Sequence, residues 1–116
     1  MLFNFHLGFW AMLFWLVWGH FVADYPWQGD FVAIAKNHNT PVGKMFWKWV
    51  LPGHAWIHAG FVAFFTGHVG LGVVEGILHA LTDRLKCNEK LSINADQTIH
   101  IVCKVIWAFW AVFILD

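Results

Sequence analysis

Residues 1–24 read MLFNFHLGFWAMLFWLVWGHFVAD, and no Asp, Glu, Lys or Arg interrupts residues 1–23. A helix that long crosses a hydrocarbon core of about 30 Å. No Lys or Arg precedes the apolar run, and the run exceeds the h-region of a secretory signal. It therefore reads as a retained transmembrane helix over about 2–24. The end of the stretch breaks the apolar pattern. His20 and Asp24 stand four residues apart, so they share one face of the helix.

Working outward, Pro26 disfavours helical geometry at Tyr25, so the chain breaks there. Residues 27–36 mix Phe31, Val32, Ile34 and Ala35 with Gln28, Asp30 and Lys36, which suits a short helix at the membrane surface. Residues 37–41 form a polar turn. Residues 44–49 interleave Lys44 and Lys48 with Met45, Phe46, Trp47 and Trp49, a second interfacial signature. Residues 49–74 again carry no Asp, Glu, Lys or Arg. Glycines at 67, 70 and 72, with His68 among them, predict a tight turn that separates helices at about 50–66 and 70–86; a re-entrant hairpin is the competing arrangement. Residues 84–94 are polar. Asn94 followed by Gln97 resembles a capping box and starts a last helix running to about 115. The expected architecture is an all-α integral membrane bundle of about four transmembrane helices with short interfacial helices, one domain over 1–116.

Composition agrees. The chain is 59% hydrophobic and 12% charged, against about 25% charged in soluble domains. Nine Trp among 116 residues suit a protein whose aromatic rings sit where bilayer meets water. A net charge of zero gives no electrostatic footing for nucleic-acid binding. Cys87 and Cys103 are too far apart for a CxxC pair and read as reduced thiols. Lys36, Lys44 and Lys48 follow the first helix, Arg84, Lys86 and Lys90 follow the third, and the turn between the second and third has neither Lys nor Arg. Positive loops remain cytoplasmic, so both chain ends and the middle turn are expected on the outer side.

The polar residues are paired by helical spacing. His20 and Asp24, His54 and His58, Asp96 and His100 are four apart, as are Glu75, His79 and Asp83 in series, with Lys86 three further on. The end of the first helix, the start of the second, the end of the third and the start of the fourth all reach the cytoplasmic face. Ionisable groups at that depth need partners. Those partners are either one another, including a Lys86–Asp83 ion pair, or a metal ion, since imidazole and carboxylate suit zinc, manganese or iron. Helical bundles build such carboxylate–His sites from facing helices. His20, Asp24, His54, His58, His79, Asp83, Asp96 and His100 are the candidate ligands. Asp96 and Gln97 have a competing use as helix caps, and Lys86 as an ordinary flanking cation. His6, His38 and His68 lie in turns or at the opposite face and are set aside.

Taken together, His20-x-x-x-Asp24, Gln28, Lys36, His54, His58, His79-x-x-x-Asp83-x-x-Lys86 and Asp96-Gln97-x-x-His100 resemble the small bacterial and phage membrane proteins of domain-of-unknown-function family 3307. The resemblance spans residues 20–100. It implies a multi-pass protein of the bacterial inner membrane, in a phage case the membrane of the infected host, and a His/Asp pattern similar to that of membrane metal-dependent hydrolases. On that footing the expected function is a membrane-embedded hydrolase using one or two divalent metal ions. Glu75, Lys86 and Gln28 are candidate catalytic residues, and Lys86 and Lys36 are cations for an anionic head group. The substrate would be a lipid or a small anionic molecule reaching the site from the cytoplasm. The rival expectation is a non-enzymatic protein: an oligomeric channel, a metal or proton conduit, or an accessory subunit for another membrane protein, in a phage case acting on the host envelope. A conduit needs polar groups along the whole crossing, and the outer half of this chain has few.

Overall fold

The structure is a computed structural model and describes residues 7–116; His6 and the expected start of the first helix near residue 2 lie outside the described residues. The described chain is all helical: α1 Phe9–Asp24, α2 Gly29–Ala35, α3 Pro41–Thr66, α4 Val69–Cys87 and α5 Ile93–Phe109, which runs on as a π-helical segment, Trp110–Leu115. Helices α1, α3, α4 and α5 close a ring in which α1 packs on α3, α3 on α4, α4 on α5 and α5 back on α1, while α2 lies against α3. The long axis of the molecule is 45 Å.

Two expected boundaries change. Residues 44–49 are not a separate interfacial piece. They form the second and third turns of a 26-residue α3, because Thr40 caps its start by accepting from the Gly43 N–H at 2.9 Å and Pro41 occupies the first turn, where its missing N–H costs nothing. A Cβ at Gly43 would overlap the Asn37 carbonyl, so only glycine admits that turn. The cap of α5 is Ser92, whose hydroxyl accepts from the Ala95 N–H at 3.0 Å, and not Asn94. This frees the Gln97 side chain for another task.

The turn between α3 and α4 falls where expected. Gly67 ends α3 in the left-handed region at φ 75°, a conformation that favours glycine. Gly72 has a different role. It lies inside α4, and a Cβ there would stand 2.6 Å from the Ala59 carbonyl oxygen and 2.8 Å from the Ala63 Cβ. Gly72 and Gly76 form a G-x-x-x-G step against Ala59 and Ala63, the close approach by which membrane helices associate.

The middle turn and both ends of the described chain meet at one end of the bundle. His68 bonds Asp116 at 2.8 Å, and the rings of Phe9 and Phe113 stack at 6.0 Å. Below them lies an apolar layer of Met12, Leu16, Val62, Leu71, Trp107, Ala108 and Ala111. At the other end the interior is polar. The outer surface carries large apolar side chains, with Trp10, Trp49 and Trp56 each more than three-quarters exposed. Ile93–Leu115, 23 residues, is the one described helix long and apolar enough to cross a membrane by length and composition. Phe9–Asp24 is apolar but shorter. The inward-facing histidines and carboxylates of α3 and α4 lower the hydropathy of those helices.

Candidate metal centre

All eight expected ligands are buried, and the ring of helices brings them together. Asp24, at the last turn of α1, is the hub. Its Oδ1 lies 2.8 Å from His58 Nε2, 3.2 Å from His54 Nε2 and 3.8 Å from His79 Nε2. Asp83, one turn beyond His79 on α4, is a second hub. Its Oδ2 lies 3.4 Å from His79 Nε2 and 3.6 Å from His54 Nε2, and its Oδ1 lies 3.6 Å from His100 Nε2. Asp96 Oδ1 is 3.3 Å from His100 Nε2. The rings of His58 and His79 stack at 3.6 Å, and those of His79 and His100 at 4.2 Å.

Gln97 sets the orientation of this cluster. Its amide nitrogen donates to Asp24 Oδ2 at 3.1 Å and to Asp96 Oδ2 at 3.2 Å. Both neighbours are carboxylates, so the NH₂ must face them and the carbonyl must face the other way. That carbonyl accepts from His20 Nε2 at 3.0 Å. His20 Nε2 therefore carries a proton in this arrangement. The sequence offered Gln97 as a cap and as a member of the Asp96-Gln97-x-x-His100 pattern, with no role at the cluster; the capping falls to Ser92.

Several nitrogen and oxygen atoms at the centre have no hydrogen-bond partner although they are buried: His54 Nε2, both ring nitrogens of His79, His100 Nε2 and Asp96 Oδ1. Leaving buried polar groups unpaired costs about 1–3 kcal/mol each. Here His79 Nδ1 faces Glu75, while His54 Nε2, His79 Nε2, His100 Nε2 and Asp96 Oδ1 turn towards the carboxylates and imidazoles of the cluster. Two donors on one tetrahedral ion with bonds of about 2.1 Å lie roughly 3.4 Å apart, close to the spacings of His54 and His79 from Asp24 Oδ1, 3.2 and 3.8 Å. Asp24, His54, His58 and His79 form one group whose ligand atoms could hold an ion, and Asp83, Asp96 and His100 form another that shares no residue with it; His20, His79 and His100 form a third, overlapping set.

Two residues beyond the cluster complete it. Lys36, from the loop after α2, bonds Asp83 Oδ2 at 3.1 Å. Lys104, one turn past His100 and 1% exposed, bonds Glu75 Oε1, while Trp107 Nε1 donates to Glu75 Oε2 at 2.8 Å. Glu75 Oε1 is also 3.6 Å from His79 Nδ1. Sequence reading missed Lys104 and Trp107. The available signal was a single cation in the apolar run 101–115, four residues from His100. The other candidates fall apart from the centre. Lys86 is exposed at the end of α4, and Asp83 pairs with Lys36 in place of Lys86. Gln28 reaches the Asp24 backbone carbonyl with its amide nitrogen at 3.0 Å, and its buried Oε1 has no partner.

Compared with protein-family models, with curated proteins and with solved structures, the chain matches none.

Proposed function

We propose that the chain is a four-span membrane protein with a metal-dependent hydrolase site near the cytoplasmic end of the bundle, of the kind the family 3307 resemblance implies. The observation that carries the reading is the group of buried His and Asp atoms, several of them unpaired, that lie at donor spacing from one another. Support for membrane insertion comes from the reversed distribution of side chains: twelve buried polar or charged residues against eleven buried apolar ones among the described residues, beneath a surface of exposed Trp, Phe, Ile and Leu. In water such a surface would be an association liability; in lipid it is the expected one.

On this reading the two disjoint donor groups hold one or two ions of zinc, manganese or iron. A metal bound there supplies Lewis-acid activation of water near neutral pH. The chain's own residues do the rest. Gln97 holds Asp24 and His20 in register, which makes His20 an orienting group through its Nε2–H. Glu75 faces His79 Nδ1 and biases that ring to present Nε2 to the centre, a carboxylate–His arrangement that tunes many metal sites. Lys36 and Asp24 have side chains 14% and 10% exposed, more than their buried partners, so they mark the accessible side. Lys36 there suits an anionic substrate. The layer of Met12, Leu16, Val62 and Leu71 excludes water from the opposite side.

That layer also bears on the conduit reading. Beyond the Glu75–Lys104 pair the interior is apolar until Thr66, whose hydroxyl bonds the Val62 carbonyl of its own helix, and the His68–Asp116 pair at the far end, so no chain of polar groups runs through the crossing. The test is elemental analysis of detergent-purified protein. Near-stoichiometric zinc, manganese or iron is expected in the wild type and in His68→Ala, with loss in His79→Ala and Asp83→Asn. The asparagine keeps the shape and the hydrogen-bonding capacity but removes the charge a cation needs. A metal-free wild type whose stability is unchanged by chelator, or an Asp83→Asn variant with full metal content, defeats the proposal.

A further inference from the structure

On the outer side of the α3–α4 pair, away from the metal centre, runs an apolar groove of about 590 Å³. Its floor is made of Ala55, Ala59 and Ala63 from α3 and of Gly72, Gly76 and Ala80 from α4, and large apolar side chains such as Trp56 and Ile77 form its walls. The small residues let the helices touch, as at Gly72, and they also leave depth outside that contact. Gly60 lines the groove, and a Cβ there would meet nothing within 4 Å.

One end of the groove is marked by Arg84 and Trp47. The Arg84 guanidinium lies over the Trp47 ring, 4.4 Å from its centroid. This cation differs from the other two that face the helices: Lys36 is paired with Asp83 and Lys104 with Glu75, whereas no carboxylate among the described residues forms an ion pair with Arg84. The groove thus combines an apolar trough of helical length with a fixed, unneutralised guanidinium at the end where the loops and adjoining helix ends carry the lysines.

We infer that this groove binds an anionic glycerophospholipid, with an acyl chain along the Ala/Gly floor and the phosphate at Arg84. A guanidinium is suited to phosphate because its planar fork donates two parallel hydrogen bonds, and stacking on Trp47 pre-orders it. A second copy of the chain fits less well. A two-fold interface through the groove, with its axis along the membrane normal, sets the same patch against itself. It would bring Arg84 towards its own copy with no carboxylate to separate them. The inference rests on the membrane reading above and is independent of the metal.

The experiment is native mass spectrometry of the detergent-purified protein with phosphatidylglycerol and phosphatidylcholine of identical chains, with metal content measured on the same samples. The wild type should retain phosphatidylglycerol in preference by about tenfold, the scale of one charge-assisted contact of 1.4 kcal/mol. Arg84→Gln should abolish the preference while phospholipid still binds, and Arg84→Lys should restore part of it. Gly60→Leu, which adds side-chain bulk at the groove where a Cβ meets nothing within 4 Å, should weaken both lipids. Metal content should be the same in all four proteins, so loss of metal in the wild type would count against the hydrolase reading alone. Equal retention of the two lipids by the wild type, or unchanged binding in Gly60→Leu, overturns the lipid site. A wild-type dimer that Gly60→Leu dissociates also overturns it and assigns the groove to a second copy. Failure of the wild type to float with liposomes would remove the membrane reading together with the lipid site.

Discussion

Lys104 illustrates how much a single residue contributes in this interior. It is 1% exposed, and its only carboxylate partner among the described residues is Glu75, which is equally buried and also held by Trp107. Two opposite charges in a poorly solvated site depend on each other, because removing one leaves the other without compensation. Lys104→Met should therefore lower stability by about 3–5 kcal/mol. The double variant Glu75→Leu/Lys104→Met should recover most of that loss, since replacing both members of a buried pair by apolar groups is often neutral. Thermal unfolding in detergent measures both. A single Lys104→Met as stable as the wild type would mean that the pair is solvated and not buried. At the same scale, His68 bonds Asp116 at the end away from the His/Asp cluster, where it cannot join the candidate ligands.

Between elements, the contact that matters most is α3 on α4. The two helices carry half of the eight candidate donors: His54 and His58 on one, His79 and Asp83 on the other. Their separation sets whether those donors can meet at one ion, and Gly72 sets the separation. Gly72→Val would drive a side chain into the Ala59 carbonyl and the Ala63 Cβ. Overpacking of this kind costs about 1–3 kcal/mol, and the helices should part by enough to weaken metal retention as well. Gly70→Ala is the control, because a Cβ there meets nothing within 4 Å and alanine favours the helix. Equal stability and equal metal content in Gly72→Val and Gly70→Ala would show that the close approach is not needed. Reading 44–49 as a piece separate from the helix at 50–66 misplaces an element boundary. Alternating Lys and Trp describe where a segment sits relative to lipid. Whether it is a separate helix depends on the Thr40 cap and on helical backbone that continues through 41–66, across Pro52, which lacks an N–H to donate.

For the whole molecule the central question is orientation. The bundle gathers the middle turn, the start of α1 and the end of α5 at one end, and Lys36, Lys44, Lys86 and Lys90, in the loops and adjoining helix ends, at the other. Given the bias of Lys and Arg towards the cytoplasm, the metal centre faces the cytoplasm on the reading proposed here. In a background with Cys87 and Cys103 replaced by serine, single cysteines at Thr40 and Lys90 should label from the cytoplasmic side, and one at Val69 from the outer side. Cytoplasmic labelling of the Val69 cysteine would reverse the topology and turn the site outward.

The sequence by itself determined the helical class and the identity of the eight His and Asp residues that converge in the interior. Both are periodic properties: apolar runs of helical length, and His and Asp repeated at a spacing that a helix turns onto one face. It also placed the donors at a common depth, because alternate helix ends must lie at the same end of an up-and-down bundle. It did not determine the partners. Which of Lys36 or Lys86 meets Asp83 depends on how α2 and its loop fold back on α3, and spacing within α4 favoured the wrong one. Lys104 belongs with Glu75 only because α5 packs beside α4, a contact between residues 29 positions apart. Gln97 links His20, Asp24 and Asp96 only because Ser92 took over the cap. Helical periodicity fixes the face a side chain presents, while the tertiary packing of separate helices decides what that face meets.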